Sequence, residues 1–240
     1  MNLLQPFFFA LAAAAANVLG GIIVTSHKWA RESLRYFIAL GSGFMLGTVF
    51  LEMTPESFAL TANAPKLILL GYLIVHMFEH TFASHLHFGE ETHHDEVVNP
   101  VVGISALVGL LVHTFFDGVA IGAGFLISQS AGLLIFLAVF LHKIPDGFTV
   151  ASIFITSGHS ASKALWAAVA LGVSTIVGVL AVHLLGDGGV IALPLATGSL
   201  LYVAATDLMP EVNRETGVKM AMIVFAGMGL FLVIQTMAKG

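Results

Sequence analysis

Eight apolar runs of roughly 20 residues or more follow one another along this 240-residue chain, with little between them. They cover 3–25, 36–58, 65–87, 101–127, 130–157, 162–186, 190–210 and 218–238. A run of that length spans the hydrocarbon of a bilayer as a helix, the element that satisfies its own backbone hydrogen bonds there. Hydrophobic residues make up 58% of the chain and charged residues only 10%, against about 25% charged in a soluble domain. The fold class is therefore all-α and polytopic, with a single membrane domain over 1–240. No ionisable residue interrupts the first run, which reads as a retained span and not a cleaved leader. Nothing in the charge pattern calls for nucleic acid.

Basic residues set the expected orientation. Lys28, Arg31, Arg35, Lys163, Arg214 and Lys219 share one side of the membrane, while Lys66 and Lys239 lie on the other. The positive-inside rule then puts both termini outside and the first side in the cytoplasm. On this reading the longest connection, 88–100, is a cytoplasmic loop.

Two neighbouring spans repeat one motif. His113-Thr-Phe-Phe-Asp117-Gly118 in span four and His142-Lys-Ile-Pro-Asp146-Gly147 in span five share the frame HxxxDG. A His and an Asp four apart project from one helix face, and such groups are costly in hydrocarbon unless they face a cavity, a partner or an ion path. Imidazole and carboxylate suit Zn²⁺ and also accept Fe²⁺ or Mn²⁺. The bland alternative is that each pair is a structural hydrogen bond within the membrane. Pro145 cannot donate to the carbonyl of Leu141, which leaves an oxygen at the level of the site. Gly118 with Gly122, matched by Gly147 with Ala151, lets helix backbones approach closely. With no cysteine in the chain, any metal site is left to His, Asp, Glu and Met.

Lys143 follows His142 deep in the span. Its ammonium either pairs with Asp117 or Asp146 in the place of a second cation, or snorkels along the helix.

A second echo links spans two and seven. Gly43-Phe-Met-Leu46 leading to Glu52-Met-Thr-Pro55-Glu56 aligns without gaps on Gly198-Ser-Leu-Leu201 leading to Asp207-Leu-Met-Pro210-Glu211. Four spans lie between them, so the two copies cross in opposite directions, as in the inverted repeats of secondary transporters. This gives an inverted pair of units, spans 1–3 against spans 6–8. Glu52 and Glu56 then mark the outer mouth, and Asp207 and Glu211 the inner one. Met45, two turns before Glu52, offers a thioether toward the same path. His76, Glu79 and His80 end span three and run into His85, His87, His93 and His94, a cluster suited to loop metal capture. His183 and Asp187 read as a surface pair, and His27 and His159 carry no argument.

These motifs resemble the ZIP (Zrt/Irt-like) family of divalent-metal transporters in its prokaryotic form. The resemblance covers essentially the whole chain and rests most firmly on spans four and five. It implies eight helices in a 3+2+3 arrangement and alternating-access uptake of Zn²⁺, or Fe²⁺, Mn²⁺ or Cd²⁺, into the cytoplasm. By resemblance the metal ligands are His113, Asp117, His142 and Asp146, with Met45 as a sulfur ligand and Glu52 a step along the path. Thr114 and Lys143 stand where relatives carry polar ligands, the motif acids are Asp where Glu is common, and span six has no mid-membrane carboxylate. These departures favour one metal over two.

The expected function is thus transmembrane uptake of a divalent metal ion, falling as pH drops through about 6 because a ligating His must be neutral. The ion is cargo, with no cofactor and no catalysis. The rivals are an intramembrane metal-dependent hydrolase and a metal sensor without flux. The expected surroundings are the bilayer of a plasma (inner) membrane, with a homodimer allowed.

Overall fold

The computed structural model describes residues 3–26, 31–82, 100–185, 189–214 and 217–239. Within them every regular element is helical. The helices are α1 Leu4–Ser26, α2 Arg31–Thr48, α3 Thr54–Leu60, α4 Ala64–Phe82, α5 Pro100–Ile127, α6 Gln129–Thr156, α7 Ala161–Leu184, α8 Gly189–Tyr202, α9 Met209–Asn213 and α10 Val218–Lys239. Two π-helical segments, Val49–Met53 and Val203–Leu208, join α2 to α3 and α8 to α9. The expected run 36–58 is thus one rod built of α2, a π turn and α3, and 190–210 is a second rod of the same build.

Seven of these rods are long and apolar enough to cross a membrane. The eighth expected run, 65–87, corresponds to α4, whose 19 residues include Lys66, His76, Glu79 and His80. Residues 83–99, which include His85, His87, His93 and His94, lie outside the described residues, as do Lys28, His27 and Asp187.

Local chemistry explains where the helices begin. Pro65 stands in the first turn of α4 and Pro100 opens α5, positions where a missing N–H costs nothing. Ser128 caps α6 by accepting from the Ala131 amide at 3.0 Å, and Ser160 caps α7 by accepting from Lys163 at 3.4 Å. Gly158, at φ 89°, supplies the left-handed residue that turns the chain between those two helices.

Both π segments precede a proline. Pro55 cannot donate to Leu51 four residues earlier, nor Pro210 to Thr206. The amide of Thr54 reaches back five residues to Val49, and that of Met209 to Ala204. One extra residue per segment results, and it falls beside Glu52 in one rod and Asp207 in the other.

Glycines set which helices touch. A Cβ on Gly43 of α2 would meet the Val224 carbonyl of α10, and one on Gly227 of α10 would meet the Leu40 carbonyl of α2. The same exchange joins α8 and α4, where Gly198 faces the Ile68 carbonyl and Gly71 faces the Leu195 carbonyl. A second set joins α6 to α1, with Gly147 on the Asn17 carbonyl and Gly20 on that of Ile144. It recurs between α5 and α7, with Gly118 on the Thr175 carbonyl and Gly178 on that of Phe115. Backbones this close leave no room for a side chain, which is how helices adhere where water supplies no driving force. Outward faces carry Phe8, Trp166, Leu184 and Phe225, all exposed, as a lipid-facing surface requires.

Candidate metal centre

The α5–α6 hairpin turns at a single residue, Ser128. His113 lies fifteen residues before it and His142 fourteen after, so the two HxxxDG motifs stand level, about 20 Å from the turn. Each helix is 28 residues long, which puts the motifs near its middle.

All four side chains converge. Ligand atoms of His113, Asp117, His142 and Asp146 lie within 4.8 Å of one another, and all four residues are buried. His113 Nε2 stands 3.3 Å from Asp117 Oδ2 and 3.7 Å from Asp146 Oδ2. His142 Nε2 stands 3.4 Å and 3.7 Å from the same two oxygens. Two imidazoles and two carboxylates therefore enclose one small volume from two antiparallel helices.

The tautomer of His142 follows from its other nitrogen. Nδ1 lies 2.9 Å from the Ala138 carbonyl, which can only accept, so Nδ1 carries the proton. Nε2 then turns a lone pair inward, the usual arrangement of a metal-ligating histidine. His113 differs, because neither of its buried nitrogens has a hydrogen-bond partner among the described residues. Asp117 Oδ1 is likewise buried without one. Buried polar atoms are rarely left so, and a cation held by His113 Nε2 and the Asp117 carboxylate would give that nitrogen and that carboxylate a partner, while Nδ1 faces Glu79.

Lys143 is fully buried. Its ammonium donates to Asp117 Oδ2 and, at 3.3 Å, to Asp146 Oδ2. Of the two expectations for this residue, the internal pair is the one the geometry holds; the side chain does not snorkel.

A second group adjoins the first. Glu79, His113 and Asp207 also bring ligand atoms within 4.8 Å of one another. Glu79 Oε1 lies 3.5 Å from His113 Nδ1, so one imidazole faces two sets of carboxylates through its two nitrogens. The sequence puts Glu79 with the loop histidines and Asp207 at a mouth. In the fold α4 packs on α8, and that contact carries both acids to the buried centre. His76 and His80 stay exposed and stack on each other at 5.4 Å.

The other candidates are spread out. Met45 is fully buried in the hydrophobic core. Glu52, 2% exposed, accepts from Gln235 Nε2 at 2.7 Å. Glu56 is half-buried in α3, and Glu211 lies 3.5 Å from Arg214 Nε. Gln235 went unnoticed in the sequence, where an isolated amide in an apolar run has no signal.

Together these features define a polytopic helical membrane protein with a buried His/Asp site able to ligate a metal ion. A family model described as ZIP Zinc transporter matches residues 89–235, and this chain belongs to that family. Zinc transporter ZIP13 of Pongo abelii is 26% identical over 211 residues, covering 76% of this chain and 60% of that protein. Zinc transporter ZIP9-B of Xenopus laevis is 26% identical over 256 residues, covering 85% and 83%. Zinc transporter SLC39A7 of Homo sapiens is 32% identical over 127 residues, 48% of this chain and 27% of that protein.

Proposed function

We propose that this protein carries a divalent metal ion, Zn²⁺ first among them, across a plasma membrane into the cytoplasm by alternating access. The carrying observation is the convergence of four buried ligand groups, two from each of two antiparallel helices, within 4.8 Å. Membership of a zinc transporter family and the names of its relatives support the same cargo.

In this reading the chain is one domain of eight spans, α4 being the eighth, in a 3+2+3 arrangement with both termini outside. The paired glycine contacts support an inverted repeat: α2 meets α10 as α8 meets α4, and α1 meets α6 as α7 meets α5. Glu52 and Glu56 attract the ion at the outer mouth, and Met45 lies along the route. His113, Asp117, His142 and Asp146 hold it at mid-depth. His113 then passes it to Glu79 and Asp207, since its two nitrogens face the two groups. Glu211 and the loop histidines receive it last.

Lys143 limits the centre to one divalent ion. A second one beside its ammonium would meet a repulsion of about 4 kcal/mol per pair of unit charges at 4 Å and an effective dielectric near 20. A route with acids on both sides of the centre suits passage better than the fixed open coordination position of a hydrolase.

The test is uptake of radioactive Zn²⁺ into liposomes holding only this protein. Time-dependent accumulation that is lost in H142A supports transport. Binding without accumulation returns the sensor reading and removes the proposal.

A further inference from the structure

The glycine contacts carry a register that can be followed to the ends of the helices. Gly71 of α4 meets Leu195 as Gly227 of α10 meets Leu40. Glu79 lies eight residues beyond Gly71, and Gln235 eight beyond Gly227. Asp207 lies twelve residues beyond Leu195, and Glu52 twelve beyond Leu40. The pair Gln235–Glu52 is therefore the counterpart of the pair Glu79–Asp207, at the other end of the molecule.

The two pairs are chemically unequal. Glu79 and Asp207 are two carboxylates beside an imidazole, a set that a cation would bridge. Across the bundle the counterpart of Glu79 is an amide. Gln235 Nε2 donates to Glu52 Oε2 at 2.7 Å and to the Leu51 carbonyl at 3.4 Å. That carbonyl is the one that cannot bond to Pro55, so a single side chain ties both the acid and the π turn of span two to α10. No cation is needed to close this end.

We propose that Gln235 is a positioning residue that latches Glu52 and keeps its mouth of the protein shut in the absence of metal. The inference rests on the transport reading for what passes through that mouth, but the latch is measured without flux. An amide here makes closure a matter of hydrogen bonding, whereas the Glu79–Asp207 pair offers a cation two carboxylates beside an imidazole. The two ends of one repeat thereby acquire different dependence on the ion.

The chain has no cysteine, so one introduced thiol reports alone. Thr48 is fully buried one turn before Glu52, and Thr48→Cys probes that mouth. The full chain in lipid nanodiscs is labelled with a charged methanethiosulfonate reagent, with Gln235, Q235L or Q235E in the same background. Labelling should quicken about tenfold in Q235L, as expected for loss of one hydrogen bond to a charged group. Q235E keeps the side-chain volume, guards against misfolding of Q235L, and should label at least as fast. Zn²⁺ should slow labelling again in Q235E, where it can join two carboxylates, and not in Q235L. Labelling of both variants within twofold of the parent overturns the latch, as does equal slowing of both by Zn²⁺. Uptake plays no part in these readings, so failure of transport and failure of the latch remain distinguishable.

Discussion

Lys143 and Asp117 form a buried ion pair that joins α6 to α5 at the level of the two histidines, His113 and His142. The same ammonium reaches Asp146 at 3.3 Å. The Lys143 side-chain nitrogen thus sits between the two carboxylates proposed to hold the ion. Removing it should change how many ions the centre accepts.

Lys143→Asn is expected to raise bound Zn²⁺ from one to two ions per chain. It removes the ammonium and leaves both carboxylates and a polar side chain. Equilibrium dialysis or native mass spectrometry of the purified protein counts the ions directly. A count that stays at one would mean that geometry, and not this charge, sets the limit.

Asp117→Ala should abolish Zn²⁺ uptake and also destabilise the fold. Leaving Lys143 buried without its nearer partner costs about 3–5 kcal/mol. Asp117→Asn keeps the shape and lessens the structural penalty, so uptake by this variant isolates ligation. Normal uptake by well-folded Asp117→Asn would remove the residue from the mechanism.

Gly147→Val forces a side chain against the Asn17 carbonyl of α1. Overpacking of this kind costs about 1–3 kcal/mol or more, and Gly118→Val against Thr175 should behave alike. A Cβ on Gly229 meets nothing within 4 Å, so Gly229→Ala should stay within about 0.5 kcal/mol of the parent. Thermal unfolding in detergent ranks the three. Equal stability would show that helix contact does not depend on these glycines.

Pro55→Ala returns a donor to the helix opposite Leu51. The π turn should then tighten toward α-helix, rotating Glu52 away from Gln235. The expected result is a raised KM for Zn²⁺ uptake with the protein still folded. An unchanged KM would mean that the π geometry is held by packing alone.

The sequence makes the helices legible because their apolar runs end at Gly, Pro and Ser, and the helix ends that lie inside the described stretches fall within a few residues of them. The twin His–Asp motifs are legible for a similar reason, since residues four apart on a helix must share a face. Long-range relationships are not. Glu79 sits next to loop histidines in sequence, and only the packing of α4 on α8 brings it to His113 and Asp207. Gln235 meets Glu52 across a separation of 183 residues in the sequence. The π turns did leave a trace in the acid-x-x-Pro-Glu echo, because the proline that removes a donor is visible in the sequence. The register of that echo pointed to a repeat, but the backbone consequence of each proline became apparent only in three dimensions.

A helix that carries one surplus residue can hand it along its length, shedding it at one turn as the next takes it up. Each such step swivels the side chains in between by about 100° while leaving the rod intact. Among the described residues, Glu52 and Asp207 ride on the two segments that store such a surplus. Shifting that surplus would turn their carboxylates without melting the helix that bears them.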